Sequence, residues 1–210
     1  PLSLAGISVE IRPGEQPARK LPLIFASPSQ INAVLPQDAT PGLQTVSVVR
    51  ADSTRMETQA YLASAAPALF FISRNGQNYA AATLLRVSPD GTRTTQSLVS
   101  VDPATGAALP VPIDTNTPGD LYLSLYGTGF HQVGSDAVSV SVGSEEATVL
   151  YVGPQGGTMG LDQINIPLPR LVASTTSAAI EVSVATATGA SMRANPVEVV
   201  FGGLQITAAR

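Results

Sequence analysis

The chain has 210 residues, of which 44% are hydrophobic and 12% charged, with a formal net charge of −4 and no cysteine. This composition excludes a highly charged disordered chain, and the lack of cysteine excludes disulfides, thiolate metal sites and cysteine nucleophiles. The acidic balance gives no general attraction to nucleic-acid phosphates, and no apolar run approaches the roughly 18 residues that span a bilayer. We therefore expect neither a nucleic-acid partner nor insertion into a membrane.

The first predicted element is a half-buried strand near the start of the chain. In GISVEIRPG, Ile7, Val9 and Ile11 share one face of an extended chain, and Pro13 with Gly14 ends the run. The same period of two recurs in TVSVVR, DLYLSLYG, AVSVSVG and AIEVSVATATG. No stretch of about twelve residues carries a helical stripe, and Pro-Gly and Asp-Gly turn signals separate the runs. The sequence therefore predicts an all-β chain.

One short segment occurs twice, and this repeat organises the chain. SPSQINAVLP, residues 27–36, returns 133 positions later as GLDQINIPLP, residues 160–169. The strands around the two copies follow the same order, which indicates duplication of one supersecondary unit. Since the chain is long enough for two domains of about 100 residues, the repeat predicts tandem β-sandwiches.

The repeated Gln-Ile-Asn is the candidate structural motif. Strand alternation points the apolar residues towards the core, namely Ile31, Ala33 and Leu35 in one copy and Ile164, Ile166 and Leu168 in the other. The amides then lie on the opposite face, where they can tie a neighbouring loop's backbone to the sheet. The alternative is a polar surface for a sugar or peptide. The prolines are expected to end each strand because they have no backbone N–H. The motif residues are Gln30, Asn32, Pro36, Gln163, Asn165 and Pro169.

The repeat divides the chain into three predicted parts: residues 1–72, a connecting segment 73–117, and residues 118–210. The last part opens with PGDLYLSLYGTGF, which has no counterpart ahead of Ile7, so the first part is expected to lack its first strand. In the connecting segment, Asp90-Gly91 predicts a β-hairpin, followed by a stiff proline-rich crossing. We expect this hairpin to cover the sheet edge that the missing strand leaves open.

Few residues have catalytic or metal-binding potential. The single histidine, His131, has no G-x-S-x-G serine to activate, so a solvated loop side chain is favoured. Glu145 and Glu146 are adjacent, and in an extended chain they point to opposite sides rather than facing each other as a hydrolase pair. The segment from Asp114 has D-x-N spacing, but Pro118 occupies a ligand position of a calcium loop, which favours an ordinary turn. We predict no enzyme, no cofactor and no metal.

Six segments carry a resemblance to a known family. In chain order they are GISVEI, SPSQINAVLP, PGLQTVSVV, AAPALF, PGDLYLSLYGTGF and YVGPQGGTMGLDQINIPLP. Together they resemble, over nearly the whole chain, the conserved C-terminal domain of large acidobacterial secreted proteins, a family without an assigned activity. Each half is similar to immunoglobulin-like folds of the E-set, IPT/TIG type, for which YGTGF, residues 126–130, is a typical end of the first strand. The resemblance implies tandem immunoglobulin-like sandwiches in an extracellular or cell-surface protein.

These expectations lead to a non-catalytic function. We expect a structural, spacer or display module at the C-terminus of a larger exported protein, whose partners are the other domains of that protein. The alternative is an adhesin-like module that binds a surface protein or a glycan through loops 127–134 and 153–160. Array binding that disappears on loop substitution would distinguish the two.

Overall fold

The computed structural model describes residues 1–36, 38–130, 133–169, 176–186 and 189–202. Within these residues the chain is all-β, and it divides into two compact units. The first unit comprises Pro1–Ser64 together with Gly156–Gly160, and the second comprises Ala65–Gln155 together with the described residues from Leu161 onward. The predicted all-β class and the tandem sandwich architecture are confirmed.

The described residues of the first unit form six strands in two sheets. They are β1 (Ile7–Pro13), β2 (Arg19–Lys20), β3 (Leu23–Ala26), β4 (Ile31–Ala33), β5 (Gly42–Arg50) and β6 (Arg55–Leu62). One sheet has the order β2-β1-β5-β6, and the other is the hairpin β3-β4. The buried side chains of Val9 and Ile11 from the first sheet and Leu23 from the second pack together with Leu21. The alternating apolar residues thus form a small core.

The second unit contains fifteen described strands and a larger core. They are β7 (Ala68–Leu69), β8 (Phe71–Arg74), β9 (Gln77–Ala80), β10 (Ala82–Val87), β11 (Arg93–Ser97), β12 (Val99–Val101), β13 (Ala108–Pro110), β14 (Asp120–Thr128), β15 (Val138–Val142), β16 (Glu145–Ala147), β17 (Tyr151–Pro154), β18 (Asp162–Pro167), β19 (Ser177–Ala185), β20 (Ser191–Arg193) and β21 (Val197–Val200). One large sheet has the order β11-β10-β14-β18-β17, and the other has the order β16-β15-β19-β21-β9-β8. Leu123 and Ile164 from the first sheet and Val182 from the second are almost completely buried in one cluster.

The two units share one plan of strand pairing. In the first unit β1 pairs with β2 and β5, β3 pairs with β4, and β5 pairs with β6. In the second, β15 pairs with β16 and β19, β17 pairs with β18, and β19 pairs with β20 and β21. The central register also corresponds, because Val9 lies opposite Val48 and Val140 lies opposite Val182. Ile31 and Ile164 therefore occupy equivalent places, each on the second strand of a hairpin.

The segment predicted as a connection, residues 73–117, lies in the second unit, and the first unit ends at Ser64 instead of residue 72. The predicted hairpin at Asp90-Gly91 is present as β10 and β11. Its other edge pairs with β14 of the second unit, so the expectation that it covers an edge of the first unit is wrong. The physical reason is burial, because Ala82 and Leu84 on β10 are buried in the core of the second unit.

The described residues contain one short 3-10 turn, Ser135–Ala137, and no helix with the length and apolar character to span a membrane.

Candidate functional site

The repeated amides bond to each other along their own strand. Gln30 Nε2 donates to Asn32 Oδ1 over 2.7 Å, and Gln163 Nε2 donates to Asn165 Oδ1 over 2.6 Å. Gln163 Nε2 also lies 3.4 Å from Ser124 Oγ on β14. The sequence suggested instead that these amides hold the backbone of a loop. Both copies of the motif thus share the same hydrogen bond between their two amides.

The apolar residues of the repeat differ in burial between the two copies. Ile164 and Ile166 are 0% exposed, whereas Ile31 and Ala33 are only half-buried. Leu35 is 43% exposed, so its predicted place in the core is wrong. The apolar side chains of the first copy are therefore less completely packed than those of the second copy.

The two motif prolines follow the strands rather than end them. Strand β4 ends at Ala33, ahead of Pro36, and β18 ends at Pro167, ahead of Pro169. The Ser27–Gln30 turn leads into β4, with Gln30 N donating to Ser27 Oγ over 3.0 Å.

A buried carboxylate next to the second motif escaped the sequence analysis. Asp162, only 2% exposed, accepts a hydrogen bond from Phe130 N over 3.0 Å. This bond holds the end of the YGTGF segment to the start of β18. The first copy has Ser29 at the corresponding position. In the sequence, the only sign of the role of Asp162 is that the two otherwise similar repeats differ at this position.

The glycines of YGTGF are required by a close backbone approach. A Cβ on Gly127 would lie 2.2 Å from the Ala68 carbonyl oxygen, and one on Gly129 would lie 2.1 Å from the Ala66 carbonyl oxygen. The cause is the pairing of β7, within AAPALF, with the end of β14. Two segments that are about 60 residues apart in the sequence thus form one structural feature.

A groove of about 260 Å³ with a mixed polar and apolar lining lies on the outer face of the second unit, across β16, β15, β19 and β20. Two rows of directly opposed residues line it. One row is Glu146, Ser141 and Glu181, and the other is Ser139, Ser183 and Arg193. The two carboxylates stand two strand spacings apart, roughly 10 Å between backbones. The groove combines hydroxyls, carboxylates and one guanidinium.

The charges in this groove are available to a ligand. All ion pairs between described residues lie in the first unit, for example Arg55 with Glu10 at 3.0 Å and Arg19 with Asp38 at 2.6 Å. Carboxylates accept hydrogen bonds, a guanidinium donates them, and hydroxyls do both. The groove can therefore bind a hydroxyl-rich or cationic ligand. The groove cannot be recognised from the sequence alone, because its two rows of residues exist only once the register of four strands is known.

The two adjacent glutamates considered for catalysis do not face each other. Glu145 and Glu146 are consecutive on β16 and lie opposite Val142 and Ser141, so their side chains point to opposite faces. Glu146 alone lines the groove. His131 lies outside the described residues.

The segment considered for calcium forms a turn. Asp114 accepts hydrogen bonds from Thr117 Oγ1 and from Asn116 N, the latter over 2.8 Å. The Thr117 hydroxyl is the main reason that the pKa of Asp114 lies below its ordinary value, and the Asn116 N–H lowers it further. The guanidinium of Arg86 donates to the carbonyl oxygens of Asp114 and Thr117. The oxygens of the turn thus have protein donors as partners.

The described residues contain no group of three or more histidine and acidic side chains placed to hold a metal ion. When the sequence was compared with protein-family models and with curated proteins, no family model and no curated protein matched it.

Proposed function

We propose that this chain is a non-catalytic module of two immunoglobulin-like domains that serves as a spacer or display element at the C-terminus of a larger exported protein. The observation that carries the proposal is the strand-pairing plan common to both units. Two sandwiches with packed cores form a stable folded segment, and a spacer needs no reactive centre. Its partners are then the other domains of the parent protein.

The proposed extracellular or cell-surface location depends on the six segments that resemble the acidobacterial family. Two of them, AAPALF and the YGTGF end of PGDLYLSLYGTGF, lie side by side in the fold at Gly127 and Ala68. Both segments are thus needed for one contact in the fold, the packing of β7 against the end of β14.

A second candidate function is an adhesin-like binding module. The groove lined by Glu146, Glu181 and Arg193 favours it, because these charges have no ion-pair partner among the described residues. From the sequence alone, loops 127–134 and 153–160 were the expected binding surface instead. A glycan or a cationic segment of a protein fits the chemistry of the groove.

The test joins the chain to the C-terminus of an exported reporter enzyme and measures folded reporter outside the cell. The spacer proposal predicts release or display that is lost with the core variant Ile164→Asp and kept with the surface variant Met56→Ser.

The binding function is tested separately by applying the same protein to glycan and protein arrays. Saturable binding that disappears in Glu181→Gln/Arg193→Gln, but remains in the first-unit control Glu57→Gln, would establish the binding function. Turnover of ester, peptide or glycoside substrates would contradict both.

A further inference from the structure

The outer face of the sheet β11-β10-β14-β18-β17 carries tyrosines, hydroxyls and amides in directly opposed rows. Leu123, Leu125 and Ile164 of this sheet are buried in the core, so alternation directs their sequence neighbours outward. One outward row is Tyr151, Asn165, Ser124 and Thr83, and the next is Gly153, Gln163 and Tyr126. None of these residues is charged, and their side chains are half-buried or, for Tyr151, 39% exposed. This part of the sheet is therefore a neutral surface that combines aromatic and polar groups.

Two phenol rings lie along this surface rather than standing upright on it. Tyr126 Oη donates to Thr83 Oγ1 on the neighbouring strand over 3.2 Å, so its ring extends across the sheet towards β10. Tyr151 Oη donates to the carbonyl oxygen of Pro154 over 2.6 Å. A Cβ on Gly153 would lie 2.9 Å from Tyr151 Oη and 3.2 Å from Tyr151 Cζ, so this ring occupies the space above the glycine. Each ring is thus held in place by its own hydroxyl and presents one face away from the sheet.

The paired amides of the second repeat stand between the two rings, because β18 lies between β17 and β14. Their bond to each other uses Gln163 Nε2 and Asn165 Oδ1, which leaves Gln163 Oε1 and Asn165 Nδ2 without a hydrogen-bond partner among the described residues. No unpaired side-chain nitrogen or oxygen is buried in the part of the chain that the structure describes. One acceptor and one donor are therefore available to a ligand side by side.

The first unit repeats part of this arrangement. Asn32 lies opposite Phe25, as Asn165 lies opposite Tyr151. Gln30 and Asn32 also share the amide bond of the second copy. Phe25 is 45% exposed and Tyr151 39%, so burial in a core does not explain an aromatic ring at this place. The combination of an exposed ring with the paired amides thus occurs twice in the chain.

The chemistry of the surface in the second unit fits a neutral sugar chain. The apolar faces of pyranose rings pack against aromatic rings, and their hydroxyl groups need a donor and an acceptor close together. A charged ligand would find no opposite charge in the two rows. Strands β17 and β14 stand two strand spacings apart, roughly 10 Å, which is about the length of two linked sugar rings. An extended, ribbon-like β-linked chain suits two rings that lie along one sheet.

We propose that Tyr126, Tyr151, Gln163 and Asn165 form a tyrosine–amide platform that binds a neutral β-linked glycan. One sugar ring stacks on each phenol ring, and the hydroxyl groups between them bond to Gln163 Oε1 and Asn165 Nδ2. Because the phenol hydroxyls already hold the rings in place, binding costs little side-chain ordering. The platform lies on the other large sheet from the groove, and it depends on neither the groove nor the spacer function.

The test titrates the whole chain with cellotetraose, xylotetraose and mannotetraose, which are neutral β-linked probes. A β-linked tetraglucuronate, which carries a carboxylate on every ring, is the matched charged control. Calorimetry should detect binding of at least one neutral probe and weaker binding of the tetraglucuronate. In nuclear magnetic resonance spectra, the side-chain amide signals of Gln163 and Asn165 should shift with the same midpoint as the heat of binding.

Variants of the chain provide the second arm. Tyr151→Ala should weaken binding about tenfold or more, because it removes one stacking face, and Tyr151→Phe should recover most of the affinity. Tyr61→Ala, at a site on β6 that is 76% exposed, should bind normally, and so should the groove variant Glu181→Gln/Arg193→Gln. Thermal unfolding checks that each variant is folded. If Tyr151→Ala fails to fold, Asn165→Ala, which removes the free donor, should show the same loss of binding.

Four results would overturn the proposal: no binding of any neutral probe, unchanged amide signals of Gln163 and Asn165 when a probe binds, full binding by Tyr151→Ala, or equal binding of the tetraglucuronate. Loss of binding in the groove variant would also overturn it, because the glycan would then belong to the groove. None of these results bears on the spacer function, which the reporter fusion tests separately.

Discussion

At the scale of single residues, the structure explains sequence features that pattern reading could only note. YGTGF lies at the end of β14, but the sequence pattern does not say why glycine stands at 127 and 129. The explanation is the carbonyl groups of Ala66 and Ala68, which occupy the space that a Cβ would need. Gly129 also has a φ of 87°, which disfavours other residues.

We expect Gly127→Ala to destabilise the second unit by roughly 1–3 kcal/mol or more, because the new methyl group would force β7 away from β14. Thermal or urea unfolding measures the change. Gly202→Ala is the matched control, since a Cβ there meets its nearest atom at 3.6 Å, an ordinary contact. Equal stability of the two variants would mean that β7 does not pack as described.

The stability of the fold should depend on pH through the carboxyl group of Asp114. The folded state lowers the pKa of this carboxyl group, mainly through the Thr117 hydroxyl. The stabilisation is therefore present above the unfolded pKa of about 3.9 and is lost as the pH falls through the lower folded value. NMR titration of the Asp114 carboxyl carbon should give a midpoint below the ordinary range. Thr117→Val should move that midpoint upward and Thr115→Val should not; an unchanged midpoint in Thr117→Val would remove the assigned cause.

At the scale of elements, alternation predicted which residues form strands but not which strands pair. GISVEI, DLYLSLYG and AVSVSVG became β1, β14 and β15, each with its apolar face inward. Pairing depends on residues far apart in the sequence, so β10 was expected in a connecting segment, whereas it pairs with β14 within the second unit. Its partner β14 comes some 35 residues later, and only the shared burial of Leu84 and Leu123 identifies it.

The two copies of the repeat should respond differently to the same truncation. Ile164→Ala should cost about 2–5 kcal/mol, because it opens a cavity in a fully buried site. Ile31→Ala should cost about 1 kcal/mol, because that side chain already keeps part of its contact with water. Chemical unfolding followed by amide signals from each unit separates the two effects. Equal costs would show that Ile31 is packed as completely as Ile164.

At the scale of the whole molecule, most of the fold that could be predicted was predicted from the repeat. It gave two sandwiches and the equivalent positions of Gln30 and Gln163, because duplicated sequence folds by the same local rules. It did not give the boundary at Ser64, which depends on contacts that residues 65–117 make within the second unit. The groove could not be predicted either. Its six polar side chains look like ordinary outward-facing strand residues until four strands are aligned.

The common pairing plan of the two units is tested most directly by cross-strand contacts between α-protons in solution. The structure predicts such contacts for Val9 with Val48 and for Val140 with Val182. It also predicts them for Ile31 with Ala26 and for Ile164 with Val152. All four pairs are of the closely spaced, non-hydrogen-bonded kind, with α-carbons about 4.5 Å apart. Nuclear Overhauser effects at all four pairs would establish one plan used twice. Their presence in one unit, with a different strand order in the other, would contradict it.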